Sequence, residues 1–146
     1  METKISKSII LGSDLHYSLL NFIKDDNEKL PIKEWVEKYR NKIPAYNIIW
    51  LLFRKKFLSN KNLRLFSVWC TREALKLLKD PNIIIINACD IAEKYANGQA
   101  TKKELIIAHN AVASYAYHDA IDDSSVAFAA TYTSYPDVPR ASSAAY

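Results

Sequence analysis

The chain has 146 residues, a formal charge of +4, 49% hydrophobic and 25% charged residues, and only two glycines and five prolines. That length suits one domain burying roughly two-thirds of its unfolded surface, and the shortage of glycine argues against an all-β fold, whose tight turns need it. Cys70 and Cys89 stand 19 apart with no CxxC pair, which argues against a disulfide framework or a four-ligand zinc site and predicts two buried thiols in a reducing compartment.

In chain order, "SIILG" is too short for a signal-peptide core, and no run approaches the ~20 apolar residues that span a bilayer. "GSDLHYSLLNFIKDDN" predicts a first helix, with Ser13 or Asp14 as N-cap and Leu15, Leu19, Phe22 and Ile23 at helical spacing. "LPIKEWVEKYRNKI" places Pro31 near a first helical position, where its missing N–H costs nothing. Ile32, Trp35, Val36, Tyr39 and Ile43 then form an apolar stripe. After Pro44, "AYNIIWLLFRKKFL" is apolar around most of its circumference and predicts a central buried helix.

A further helix is expected from Ser59 or Asn60, burying Leu63, Phe66, Val68, Trp69, Ala74, Leu75 and Leu78. "DPNIIIINACDIAEKYANG" contains the β-branched run Ile83 to Ile86, which suits a strand. Helix is the better reading: Asp80-Pro81 makes an N-cap and N1 pair, Ile84, Ala88, Ile91 and Tyr95 keep helical spacing, and Gly98 stands where a C′ glycine belongs. "TKKE" is a capping box, Thr101 with Glu104. The segment behind it extends to about Tyr135, where Pro136 and Pro139 stop any helix, with "DDSS" as an internal break. The fold class expected is therefore all-α, a compact bundle of six or seven helices, with residues 1–135 as one domain and 136–146 as a C-terminal tail.

Charge is unevenly spread. Residues 29 to 79 carry 13 Lys/Arg against three Glu, whereas both flanking segments are net acidic. Lys33, Lys38, Arg40, Lys42, Arg54, Lys55, Lys56, Lys61 and Arg64 are the candidates for binding a partner or nucleic acid, provided their helices share a face. Solvation of apolar helices explains the same lysines. Tyr117, Ile121, Phe128, Tyr132 and Tyr135 recur at helical intervals among alanines. Core packing explains this stripe, and an interface of Tyr117, Phe128, Tyr132 and Tyr135 is the alternative, because tyrosine is favoured at interfaces.

His118 and Asp122 are i and i+4, able to share a metal, with Asp119, Asp123 and His109 in the same stretch. The further ligand such a site needs from another helix is not identifiable, and a solvated acidic face explains the cluster equally well, so no metal is expected. GxSxG, HExxH and a glycine-rich phosphate loop are all missing. Neither catalytic residues nor a cofactor are therefore expected.

"NLRLFSVWCTREALKLLKDP" followed by "NACDIAEKYANGQATKKELIIAHNAVASYAYHDA" resembles a set of small helical phage and mobile-element proteins with Ala-rich helical tails, some of them labelled immunity proteins. The matching residues are Trp50, Cys70, Arg72, Ala92, Glu93, Tyr95, Ala96, Gly98, Ala100, Thr101, Glu104 and Leu105, and the likeness covers residues 45 to 135. The tail is shorter and less purely Ala than the family pattern. The resemblance implies a helical fold and a phage or plasmid home, hence the cytoplasm of a bacterial host. It carries over no active-site residue.

The function expected is a non-enzymatic accessory protein that binds and inhibits a host defence or toxin macromolecule, as an anti-CRISPR does, with a protein or ribonucleoprotein partner and no membrane. Its basic centre has the wrong sign for a DNA mimic and suits an acidic or nucleic-acid surface. Non-specific nucleic-acid binding through residues 33–64 and homo-oligomeric self-assembly are the alternatives.

Overall fold

The computed structural model describes residues 4–11, 22–23, 28–52, 57–118 and 124–136. These residues hold seven α-helices and one pair of two-residue strands, so the fold is all-α. By internal contacts the chain divides into two units, residues 1–58 and 59–146.

In the first unit β1 (Lys4–Ile5) pairs antiparallel with β2 (Leu30–Pro31), Lys4 opposite Pro31 and Ile5 opposite Leu30. Three helices accompany them: α1 (Lys7–Leu11), α2 (Ile32–Tyr39) and α3 (Ala45–Leu52). The expected stripe on α2 is present, with Trp35 and Tyr39 buried at a ring separation of 4.9 Å and Ile43 buried beyond the helix end. Ile5, Ile10, Ile23, Ile48, Leu51 and Phe57 complete this core.

Two expectations change here. The helix starting at Ser13 or Asp14 falls mainly outside the described residues, while α1 and the strand pair form where no periodicity announced them. The α3 helix is one-sided rather than central: Ile48 and Leu51 are buried, while Tyr46 and Ile49 are exposed. Eight residues following a proline present only two turns, and one side of them satisfies this core.

The second unit is a four-helix bundle of α4 (Asn60–Leu75), α5 (Ile83–Ala96), α6 (Lys102–His118) and α7 (Ser124–Ser134). Both α5 and α7 touch each of the other helices of the bundle. They pack closely because their inward residues are small: Ala88 and Ala92 on α5, Ala127 and Ala130 on α7, with Ala108 and Ala116 on α6. Ile85, Leu105, Val112 and Val68 fill the remaining volume.

Helix boundaries here follow local chemistry. The Ser59 side chain accepts from the Asn62 N–H at 3.1 Å and caps α4. The cap of α5 is Asn82, accepting from the Ile84 N–H at 2.8 Å, two residues beyond the expected Asp80. Pro81 thus precedes the helix. At its other end Gly98 has φ +74°, its N–H donates to the Tyr95 carbonyl, and the Gln99 N–H donates to that of Lys94. This is a Schellman ending, which needs a left-handed residue at C′. The capping box forms as read: Glu104 Oε2 accepts from the Thr101 N–H at 2.7 Å, and the Glu104 N–H donates to Thr101 Oγ1 at 3.2 Å. Among the described residues, no helix is long and apolar enough to cross a membrane.

Candidate functional site

The basic positions named from sequence do not behave alike. In the first unit, Lys33 is exposed, Lys38 pairs with Glu28 at 2.8 Å and Arg40 with Glu37 at 3.3 Å. Lys38 and Lys42 lie over the Tyr39 ring at 5.5 and 5.8 Å. Two of these four positive charges are thus matched by local carboxylates. Arg54, Lys55 and Lys56 lie outside the described residues. In the second unit Lys61 is exposed on the first turn of α4.

Arg64 is not a surface cation. It is 1% exposed, and its Nη1 donates to the carbonyls of Thr133 at 2.8 Å and Tyr135 at 2.9 Å, closing the C-terminus of α7. A helix C-terminus carries partial negative charge and unmet carbonyls, so a guanidinium is well matched to it. The Tyr95 ring lies 5.2 Å from the guanidinium carbon, and buried Nη2 has no hydrogen-bond partner among the described residues. Burial lowers the Arg64 pKa, with Tyr95 acting in the opposite sense.

Arg64 also explains why α4 turns a different face inward from the one expected. Its buried residues are Leu63, Arg64, Ser67, Val68 and Thr71. Ser67 Oγ donates to the Leu63 carbonyl, and the Thr71 and Thr133 hydroxyls meet at 2.9 Å across the α4–α7 seam. The helix is phased by this polar seam, which leaves Trp69 56% exposed beside Phe66 at 5.7 Å. Phe66 and Cys70 are only half-buried, against expectation. On the α5 side, Arg72 bonds Asp90 at 2.8 Å and Glu93 at 2.7 Å, carboxylates three residues apart on one face. Cys89 is buried and free, its thiol pushed up to about 12 mainly by desolvation.

His109 is tied to α7 rather than to the acidic cluster. Its Nδ1 lies 3.1 Å from the Thr131 carbonyl, and its ring meets Tyr135 edge-on at 4.9 Å. A carbonyl only accepts, so Nδ1 carries the proton and the neutral ring presents Nε2 as an acceptor. Burial lowers the His109 pKa, and the Thr131 hydrogen bond opposes that shift. His118 is exposed at the end of α6, and Asp119, Asp122 and Asp123 lie outside the described residues. Among the described residues, no group of three or more His, Cys, Asp and Glu is placed to hold a metal.

The tyrosine stripe divides between interior and surface. Tyr117 is 72% exposed and stands edge-on to half-buried Phe128 at 5.0 Å. Tyr132, one turn beyond Phe128 on α7, is 40% exposed. Tyr135 is half-buried against His109, and Ile121 lies outside the described residues. Sequence reasoning missed two exposed residues on the same helix as Tyr117: Ile106 and Ile107 are exposed on α6, Ile107 by 59%, and Asn110, Ala111 and Ser114 between them and Tyr117 are exposed too. A signal was available, because residues 105–118 and 124–136 contain no Lys, Arg, Asp or Glu. Among the described residues beyond Glu104, the exposed side of α6 and α7 is therefore an uncharged surface of Ile, Tyr, Ala, Ser and Asn.

Comparison with known proteins adds no identity: no family model, curated protein or solved structure matches this chain.

Proposed function

We propose that this is a non-enzymatic accessory protein of a phage or other mobile element, which docks on a host defence or toxin macromolecule through the outer α6–α7 face and blocks it. The observation that carries the docking part is the pairing of exposure with missing charge. Ile107, Tyr117 and Tyr132 stand in solvent on a hairpin whose described helical residues beyond Glu104 contain no Lys, Arg, Asp or Glu. Depletion of charge with enrichment of tyrosine distinguishes interface cores from ordinary surface. The mobile-element part rests on the sequence resemblance over residues 45 to 135.

Weight moves away from the basic centre, since Arg64 caps a helix and Lys38 and Arg40 have carboxylate partners. Capture from bacterial lysate, with and without nuclease, tests the proposal. A protein retained in fixed ratio after nuclease treatment supports it. Retention abolished by nuclease favours nucleic-acid binding instead. No capture, with a dimer in light scattering, favours self-assembly.

A further inference from the structure

A second feature of the bundle lies where α6 meets the end of α7. Lys102, His109, Tyr135 and Pro136 line an open pocket of about 410 Å³, and among the described residues no carboxylate lines it. That volume is within the usual range for small-ligand sites, about 300–1,000 Å³. Its walls are held in place from two helices. The Tyr135 carbonyl accepts from buried Arg64 on α4, and the Thr131 carbonyl accepts from His109 on α6.

The chemistry of the lining is complementary to one kind of ligand. Lys102 and His109 are seven residues apart, two turns on one side of α6. The ammonium of Lys102 is a point charge suited to an oxyanion. His109, with Nδ1–H committed to Thr131, offers Nε2 only as an acceptor. A carboxylate has no donor for that nitrogen, and a bare phosphate offers only a P–OH on the same small group that Lys102 would hold. A ligand that joins an anion to an N–H group satisfies both, and the Tyr135 ring gives such a ligand an aromatic neighbour.

We infer that this pocket binds a nucleotide-sized organic anion, a nucleoside monophosphate in chemical class, with Lys102 facing the phosphate and His109 Nε2 accepting from an N–H of the base. The pocket lining shares no residue with Ile107, Tyr117 and Tyr132 of the face assigned to docking, so either reading can fail without the other.

Titration of the full chain with adenosine monophosphate, guanosine monophosphate and inorganic phosphate tests this by calorimetry, with the His109 ring protons followed by NMR. At least one nucleotide binds saturably and shifts the His109 resonances. Lys102→Gln weakens it about tenfold, the loss of one partly shielded charge contact, and Lys103→Gln, altering an exposed neighbour, leaves it unchanged. Absence of saturable binding by either nucleotide overturns the inference. So does equal affinity in the Lys102→Gln and Lys103→Gln variants. Inorganic phosphate binding as tightly as the nucleotide overturns the roles given to His109 and Tyr135.

Discussion

Replacing Arg64 with methionine removes the guanidinium while keeping most of its volume, and so measures what a buried cation does for this bundle. Two contributions are lost. The Thr133 carbonyl, on a fully buried residue, has its Arg64 partner at 2.8 Å withdrawn, and an orphaned buried acceptor costs about 1–3 kcal/mol. The favourable placement of a cation at the α7 C-terminus goes as well, about 0.3–1 kcal/mol and up to about 2 when partly buried. Against these stands a relief. Buried Nη2 has no hydrogen-bond partner among the described residues, and removing an incompletely satisfied charge returns on the order of 1–3 kcal/mol. The balance is a net destabilisation of about 1–2 kcal/mol for Arg64→Met. Arg64→Ala adds a cavity and loses about 3 kcal/mol or more. For a chain of this length each kcal/mol moves Tm by about 4 °C, so methionine lowers it by roughly 4–8 °C. Urea unfolding followed by far-UV circular dichroism gives the free energies. Hydrogen exchange at residues 131–136 shows whether the loss begins at the α7 end. A methionine variant as stable as the parent, or more so, refutes the reasoning, because the guanidinium would then cost at least as much as its two carbonyl contacts return.

Three further outcomes follow from local chemistry. Gly98→Ala costs about 1–2 kcal/mol through backbone strain alone, since φ is +74° and nothing lies within 4 Å of an added Cβ; an unchanged urea midpoint contradicts the Schellman ending. The His109 pKa is lowered in the fold from its ordinary 6.5, so the unfolded chain binds the proton first as pH falls. The stability His109 contributes is full above pH 6.5 and declines as pH drops toward its folded pKa, and Tm between pH 7.5 and 5 declines less in His109→Gln than in the parent. A pH profile identical in the two proteins contradicts this. With Cys70 half-buried and Cys89 buried with its thiol at about 12, iodoacetamide at pH 8 modifies Cys70 first, and Cys89 only under denaturing conditions. Equal labelling rates in peptide mass spectrometry overturn that order.

What was legible in the sequence was mainly punctuation. Ser59, Gly98 and the Thr101–Glu104 box each act within three or four residues, so local pattern sufficed to find them. The Ile83–Ile86 run became helix because an Asn82 cap and the α5 packing face outweigh β-branched propensity. The phase of α4 was not legible. Its buried face includes Arg64, Ser67 and Thr71, whose partners Thr133 and Tyr135 stand more than sixty residues away. Hydropathy placed Trp69 inside and Arg64 outside, and the polar seam reverses both. The pair Lys4–Ile5 and Leu30–Pro31 is too short to show alternation. For the site, the spacing of Tyr117, Phe128 and Tyr132 was visible, but which of them face solvent depends on how α7 lies against α6. Ile107 stayed hidden because an isolated exposed isoleucine has no sequence signature, although the uncharged stretch around it does.

The central claim is that the uncharged outer face of α6 and α7 does the docking. A side-by-side capture experiment tests it most directly, with the parent chain, an Ile107→Glu/Tyr117→Glu variant and a Lys33→Ala/Lys42→Ala variant of equal folded content by circular dichroism. All four positions are exposed, so the substitutions spare both cores. The account predicts that the glutamate variant loses the nuclease-resistant partner and the alanine variant keeps it. Retention by the glutamate variant together with loss by the alanine variant would contradict the account and return the binding role to the exposed lysines Lys33 and Lys42.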